Sequence, residues 1–307
     1  MQLPTMAAWA WIPIVIWAAF AQTIRNATQR TLVDDLGTLA ATLVRFLYGL
    51  PFATAWLILV YQLSGPRWAL PDFSPAYAGW LVLGAVSQLA ATACLLMAMK
   101  QRNFIVGVAF SKTEVLQVGI FATLFLQELP TLLSGIAMVV ATLGVVLLSL
   151  PKKTPSDPAG WAGNAAWFGL ASGACFALSS VGYRGAALQL GDTSAWLVGA
   201  WAVLLAQLLQ TVLLGAYLGL RVPGSMAAIA KAWRLSLLAG MMGAMASIGW
   251  LTAMALRPAA DVRTLGLVEV LFSYLVSRRL FNERMSRNEM AGLLLVGAGV
   301  LVVCAQF

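Results

Sequence analysis

The 307-residue chain is 61% hydrophobic and 10% charged, with a formal charge of +8 from 19 Lys and Arg against 11 Asp and Glu. Soluble domains carry about 25% charged residues, so this composition excludes an ordinary water-soluble fold and moves any chemistry into a membrane. Histidine is absent altogether, which excludes Ser-His-Asp catalysis, histidine-ligated haem or zinc and imidazole proton relays.

Apolar runs long enough to cross a hydrocarbon core of about 30 Å recur from end to end. Hydropathy and turn signals predict spans at 6–29, 38–62, 77–99, 104–127, 132–150, 163–186, 195–219, 232–255, 262–281 and 287–306. The first run lacks a basic leader and is followed by further spans, so it is expected to stay as a helix. The connections are short except at Pro151–Trp161, where three prolines and two lysines form a linker. The expected domains are therefore residues 1–150, a linker at 151–161, and residues 162–307.

A constant offset of 155 relates the two parts: Ala98 to Ala253, Met99 to Met254, Arg102 to Arg257, Glu114 to Glu269, Glu128 to Glu283 and Gly144 to Gly299. Thr131 and Ser286 follow the second glutamate pair by three positions, each placed to N-cap the next helix, and Ser286 with Glu289 has capping-box spacing. Five spans per half is an odd number, so the second half would enter from the opposite face. The expected fold is all-α and integral to the membrane: ten transmembrane helices as two inverted five-helix repeats around a central cavity.

Assigning loops alternately to two sides places thirteen Lys and Arg on one and four on the other, counting Arg25 with the first and Arg263 with the second. By the positive-inside rule both termini are expected outside the cytoplasm. The same rule accounts for the basic charge without nucleic acid as a partner. Most tryptophans, among them Trp9, Trp11, Trp68, Trp80, Trp161 and Trp233, are expected as interfacial anchors. Cys94, Cys175 and Cys304 fall inside apolar runs and suit small core residues.

A charge deep in a span costs about 2.5–3.5 kcal/mol on insertion scales and is a functional candidate by default. Four qualify: Arg45, Lys112, Glu114 and Glu269. The carboxylates suit proton coupling or a substrate ammonium, or serve as repeat-symmetric structural groups that hold a helix end or pair with Arg45. Arg45 and Lys112 suit a substrate carboxylate, or neutralise carboxylates within the bundle. Helical geometry turns Lys112 about 200° from Glu114, so it needs a separate partner or must snorkel. Neutral candidates for solute contact are Tyr48, Ser87, Gln88, Gln207 and Trp250, with Gln22, Ser179, Gln210 and Ser247 as further mid-span polar groups. Glycines 292 and 299, and the series Ala239, Gly243 and Ser247, suit close helix packing.

Several motifs now fall into order: Trp17 with Ile24-Arg25, Arg45, Ala98-Met99-Lys100, Glu114, Leu126-Gln127-Glu128 through Thr131, and Gly144-Val145-Val146-Leu147. The second half repeats them as Ala253-Met254, Arg257, Glu269, Asn282-Glu283 through Ser286, and Gly299-Val300-Leu301. Over nearly its whole length the chain resembles the drug/metabolite transporter superfamily, in the ten-span branch with two EamA-type repeats that includes amino-acid exporters. The resemblance implies a helical basket around a central cavity, alternating access, and solutes such as amino acids or other small metabolites. It implies a bacterial inner membrane, whereas many members keep both termini in the cytoplasm, the reverse of the charge count. The expected protein is a monomeric secondary transporter that exports amino acids or similar small metabolites and contacts membrane lipid, not an enzyme, with no cofactor or metal. The alternatives are a lipid flippase or passive channel, and an intramembrane transferase, for which Asp34-Asp35 is the lone acidic doublet.

Overall fold

A computed structural model describes residues 9–64, 70–101, 110–148, 164–191, 193–281 and 287–306. The linker 151–161 with Trp161, Trp68, Arg102, and the Asn282-Glu283 motif with the Ser286 capping box lie outside the described residues. Within them every regular element is an α-helix: α1 (Trp11–Leu36), α2 (Thr38–Leu47), α3 (Leu50–Ser64), α4 (Pro75–Gln101), α5 (Glu114–Leu126), α6 (Leu132–Leu148) and α7 (Asn164–Gln189). The second half continues with α8 (Ala195–Arg221), α9 (Ser225–Lys231), α10 (Trp233–Leu256), α11 (Ala259–Leu265), α12 (Val268–Phe281) and α13 (Arg287–Cys304).

Among the described residues four helical stretches are long and apolar enough to cross a membrane: Thr38–Ser64, Pro75–Met99, Ala195–Arg221 and Trp233–Leu256. The surface agrees with that reading, since Leu124, Leu132, Leu220, Leu294 and Leu301 are all at least two-thirds exposed. The interior is instead rich in polar groups, including Arg25, Arg45, Lys112, Glu114, Arg263 and Glu269. An apolar outside around an ionic inside reverses the pattern of a soluble protein and is compatible with a multi-pass membrane protein.

Helix ends follow local sequence. The first span was expected to stop near residue 29, but α1 runs to Leu36 and Gly37 alone makes the turn, at φ 77°, a conformation that costs glycine nothing. Thr131 caps α6 as its position predicts, accepting from the Ser134 N–H at 3.1 Å. Three predicted spans are interrupted. Pro51 lacks an N–H for the turn before it, and the chain breaks at Tyr48–Gly49 between α2 and α3. Pro258 separates α10 from α11, so the ninth span begins at Ala259 and breaks again at Gly266–Leu267. The fourth span is broken at Lys112–Thr113.

Two tryptophan expectations are corrected: Trp11 is buried in the apolar core and Trp80 packs against it, whereas Trp9 and Trp233 are more than half exposed. The helices that lie most extensively together are α4 with α7, α6 with α13, and α1 with α10. Small residues allow the approach. A Cβ added at Gly299 would stand 2.6 Å from the Ala141 Cβ and 2.8 Å from the Ala137 carbonyl, across the α6–α13 contact. Two residues earlier on the same helix, a Cβ at Gly297 would meet nothing within 4 Å. Overpacking typically costs about 1–3 kcal/mol, so Gly299→Ala is expected to lower the melting temperature of the purified protein. Gly297→Ala is expected to leave it unchanged or raise it slightly through helix propensity; equal behaviour of the two would contradict the tight α6–α13 seam.

Candidate functional site

The two carboxylates of the predicted pair stand at interruptions. Glu114 is the first residue of α5 and Glu269 the second of α12, positions where a helix N-terminus favours negative charge. Each break is closed by short i to i−3 turns: Val115 N–H to the Lys112 carbonyl at 3.3 Å, and Glu269 N–H to the Gly266 carbonyl at 3.0 Å. The turn displaces Lys112 from the position that regular helix geometry assigns it. Its ammonium lies 3.8 Å from Glu114 and pairs closely with Glu269, correcting the expectation that it points away from Glu114.

Around that core the network spreads through both halves of the chain. Glu269 Oε2 accepts from the Gln22 side-chain amide at 2.6 Å, and Oε1 from that of Asn26 at 2.9 Å. Trp250 donates its indole N–H to Gln22 at 2.9 Å. Arg263 donates to Glu114 at 3.5 Å and to the Ser180 hydroxyl at 2.7 Å, while its guanidinium lies 4.7 Å from the Trp250 ring centre. Arg25 reaches Glu269 only through Asn26, to whose oxygen it donates twice. Arg45 donates to Thr92 at 2.8 Å and to Ser247 at 3.4 Å. Ser247 is three residues from Trp250 on α10, which joins this arginine to the rest.

A neutral polar group continues the chain of contacts. Gln88, one helical turn from Thr92, accepts from the Tyr183 hydroxyl at 2.8 Å and from Gln210 at 2.9 Å. Gln207 is buried, and neither end of its amide has a hydrogen-bond partner among the described residues. It faces the α2–α3 break, where a Cβ at Gly49 would collide with its oxygen. Tyr48 turns from the network toward α9, its hydroxyl 3.4 Å from the Ile229 carbonyl. Ser87 is half-buried on α4 and donates no hydrogen bond among the described residues. Of the predicted residues, then, Lys112, Glu114 and Glu269 meet directly, Trp250 joins them through Gln22 and Arg263, and Arg45 and Gln88 are linked to one another through Thr92.

Sequence reasoning misplaced two members. Arg25 and Arg263 were counted as loop cations, yet they are 0% and 4% exposed; Asn26 was not singled out. The extension of α1 past residue 29 buries the first, and the start of α11 at Ala259 buries the second. The one available signal was the Ile24-Arg25 motif. A separate polar cluster joins helix ends, with Arg184 donating to Glu128 at 2.7 Å and to the Met254 carbonyl at 2.8 Å. Beside it Ser134 donates to Asp261 at 2.7 Å and Thr131 bonds Gln306 at 2.8 Å.

No family model matches the chain, and no curated protein does either. A solved crystal structure resembles it over 95% of either chain, with a TM-score of 0.66 and 15% identity. That likeness concerns the fold alone.

Removing one partner of a buried ion pair strands the others at a cost of about 3–5 kcal/mol. Glu269→Ala, which orphans Lys112, Gln22 and Asn26 together, is therefore expected to lower the melting temperature far more than Gly299→Ala. The double variant Lys112→Met/Glu269→Leu, lacking both charges, should lose less than the two single changes added together. Additive losses in this thermodynamic cycle would mean that the two groups are not coupled.

Proposed function

We propose that this chain is a secondary transporter of small organic solutes in a bacterial inner membrane, working by alternating access. The carrying observation is the buried ionic network set at helix interruptions and drawing on both halves of the chain. Ionisable groups inside a membrane bundle mark solute and ion pathways, and broken helices facing one another are the usual frame of transporter sites. Groups that serve only to hold a bundle together do not require interrupted backbone around them.

Ten spans in two inverted repeats are part of the same proposal. Supporting it, the breaks at Lys112–Thr113 and Gly266–Leu267 lie 154 residues apart, next to the Glu114/Glu269 pair. The packing of α1 on α10 also has its repeat-related counterpart in α7 on α4, and α6 on α13 is its own counterpart. The match is not complete, since the α2–α3 break has no equivalent in the uninterrupted α8. The polar core, in which each carboxylate joins elements from the two halves, lets opposed movement of those halves remake the contacts around a solute. A drug/metabolite transporter of the EamA type, of the kind that exports amino acids, is the family reading that fits this construction.

Purified protein in proteoliposomes is expected to exchange a labelled amino acid or related metabolite in counterflow, and Glu114→Gln or Glu269→Gln to reduce exchange at least tenfold or thereabouts, since a charge-assisted contact is worth about 1.5–3 kcal/mol. A protein that moves none of a broad metabolite panel under either gradient would remove the main support for the reading. Orientation has its own check. With Arg25 and Arg263 moved into the interior, each side of the loop count falls by one and the bias stands at twelve to three. A C-terminal alkaline phosphatase fusion is therefore expected to be active and a green fluorescent fusion dark; the opposite pattern would place the termini in the cytoplasm.

A further inference from the structure

The buried centre holds more positive than negative charge. Arg25, Arg45, Lys112 and Arg263 are all at most 4% exposed, and they face two buried carboxylates, Glu114 and Glu269. Lys112 and Arg263 account for both of those. The other described carboxylates are placed elsewhere: Asp34, Asp35 and Asp72 are exposed, Glu128 is taken by Arg184, and Asp261 by Ser134. Neither Arg25 nor Arg45 has a carboxylate within ion-pair distance among the described residues.

Neutral groups satisfy these two arginines only in part. Asn26 takes Arg25, while Thr92 and Ser247 take Arg45, and one nitrogen on each remains without a partner: Arg25 Nη1 and Arg45 Nε. Their stems converge on one point of α10, where a Cβ at Gly243 would stand 2.9 Å from Arg45 Cγ and 3.4 Å from Arg25 Cδ. The missing side chain at Gly243 is what lets them share that space. Two buried guanidinium groups that share this space without a carboxylate in ion-pair contact are costly unless an anion joins them. Their planar donors match the oxygens of carboxylate and phosphate groups.

A substrate ammonium finds less provision, because each carboxylate already faces an internal cation. Both oxygens of Glu269 already accept hydrogen bonds, and Glu114 keeps a single open oxygen, Oε2. We infer that the cargo is an organic anion, its carboxylate or phosphate group held between Arg25 and Arg45, with no amine required for recognition. This rests on the transport reading above and narrows its solute class from small metabolites in general to acids.

The experiment is thermal melting of the purified full-length protein with succinate, glycerol phosphate, glutamate, leucine or putrescine, at ionic strength matched with sodium chloride. One or more of the three anions is expected to stabilise the protein, with leucine, putrescine and chloride inert; succinate against glycerol phosphate tells carboxylate from phosphate. In Arg45→Gln and Arg25→Gln the half-saturating concentration of that anion should rise about tenfold or more, as for loss of a charged hydrogen bond. Where either variant fails to fold, Arg45→Lys keeps the charge without the fork and should still weaken the anion measurably. If all three fail to fold, the wild-type panel decides alone.

The inference is overturned if no organic anion stabilises the wild type, if chloride does so equally, or if leucine or putrescine stabilises while the anions do not. It is also overturned if the variants bind the anion as tightly as the wild type. Counterflow separates the two readings. An anion that binds but is not exchanged defeats transport and leaves the anion site standing; leucine exchanged with the anions inert does the reverse.

Discussion

The rest of the structure depends on keeping ionised groups inside a bundle whose outer face is hydrocarbon. Lys112 between Glu269 and Glu114, with Arg263 beside Glu114, meets that constraint by pairing each carboxylate with a cation, and amide donors from Gln22 and Asn26 fill the oxygens of Glu269. In a water-poor interior the desolvation cost is large and the attraction repays it only when the geometry is complete. That requirement explains why so many elements converge on a few atoms. Side chains from α1, α7, α10, α11, α12 and the turn before α5 all end there.

Helix interruption is the means. A regular helix presents neighbouring residues in fixed directions, and on that geometry Lys112 and Glu114 would diverge. The turn at Lys112–Thr113 releases the lysine to swing back beside the glutamate, while Glu114 itself becomes the start of a new helix, where its charge is favoured. Gly266 does the corresponding work before Glu269, and a side chain there would collide with the Trp250 ring. Close packing elsewhere holds these breaks in place. The glycine-mediated contact of α6 with α13, and the long contacts of α4 with α7 and α1 with α10, form the frame against which irregular backbone can be tolerated.

The charge imbalance gives this arrangement a direction. A fully neutralised network would be a structural clamp, complete in itself. Here two buried arginines are left with neutral partners and spare donors, beside the clamp and not within it. Both carboxylates are paired with internal cations, while Arg25 Nη1 and Arg45 Nε stay without a partner among the described residues. On the proposed reading this surplus is the place for a negatively charged cargo, and the ionic clamp next to it is the element whose contacts would change as that charge arrives.

Much of this was legible in the sequence, because the signals involved are local. Apolar runs of fixed length report membrane-scale helices, Thr131 three residues before Ser134 reports a cap, and a charge within an apolar run reports a buried polar core. The Glu114 and Glu269 pair, Lys112 and Arg45 were therefore visible as candidates from one dimension. Their partners were not. Whether Arg25 lies at a helix end facing the loop or in the core depends on a helix continuing seven residues past its expected end, to the turn at Gly37. Arg263 depends likewise on where the chain re-enters after Pro258. The pairing of Lys112 with a glutamate 157 positions away, the sharing of Gly243 by two arginines, and the resulting excess of positive charge all arise from contacts between distant segments. Hydropathy and spacing report what each segment buries; only the packed helices decide which buried charges meet and which are left over.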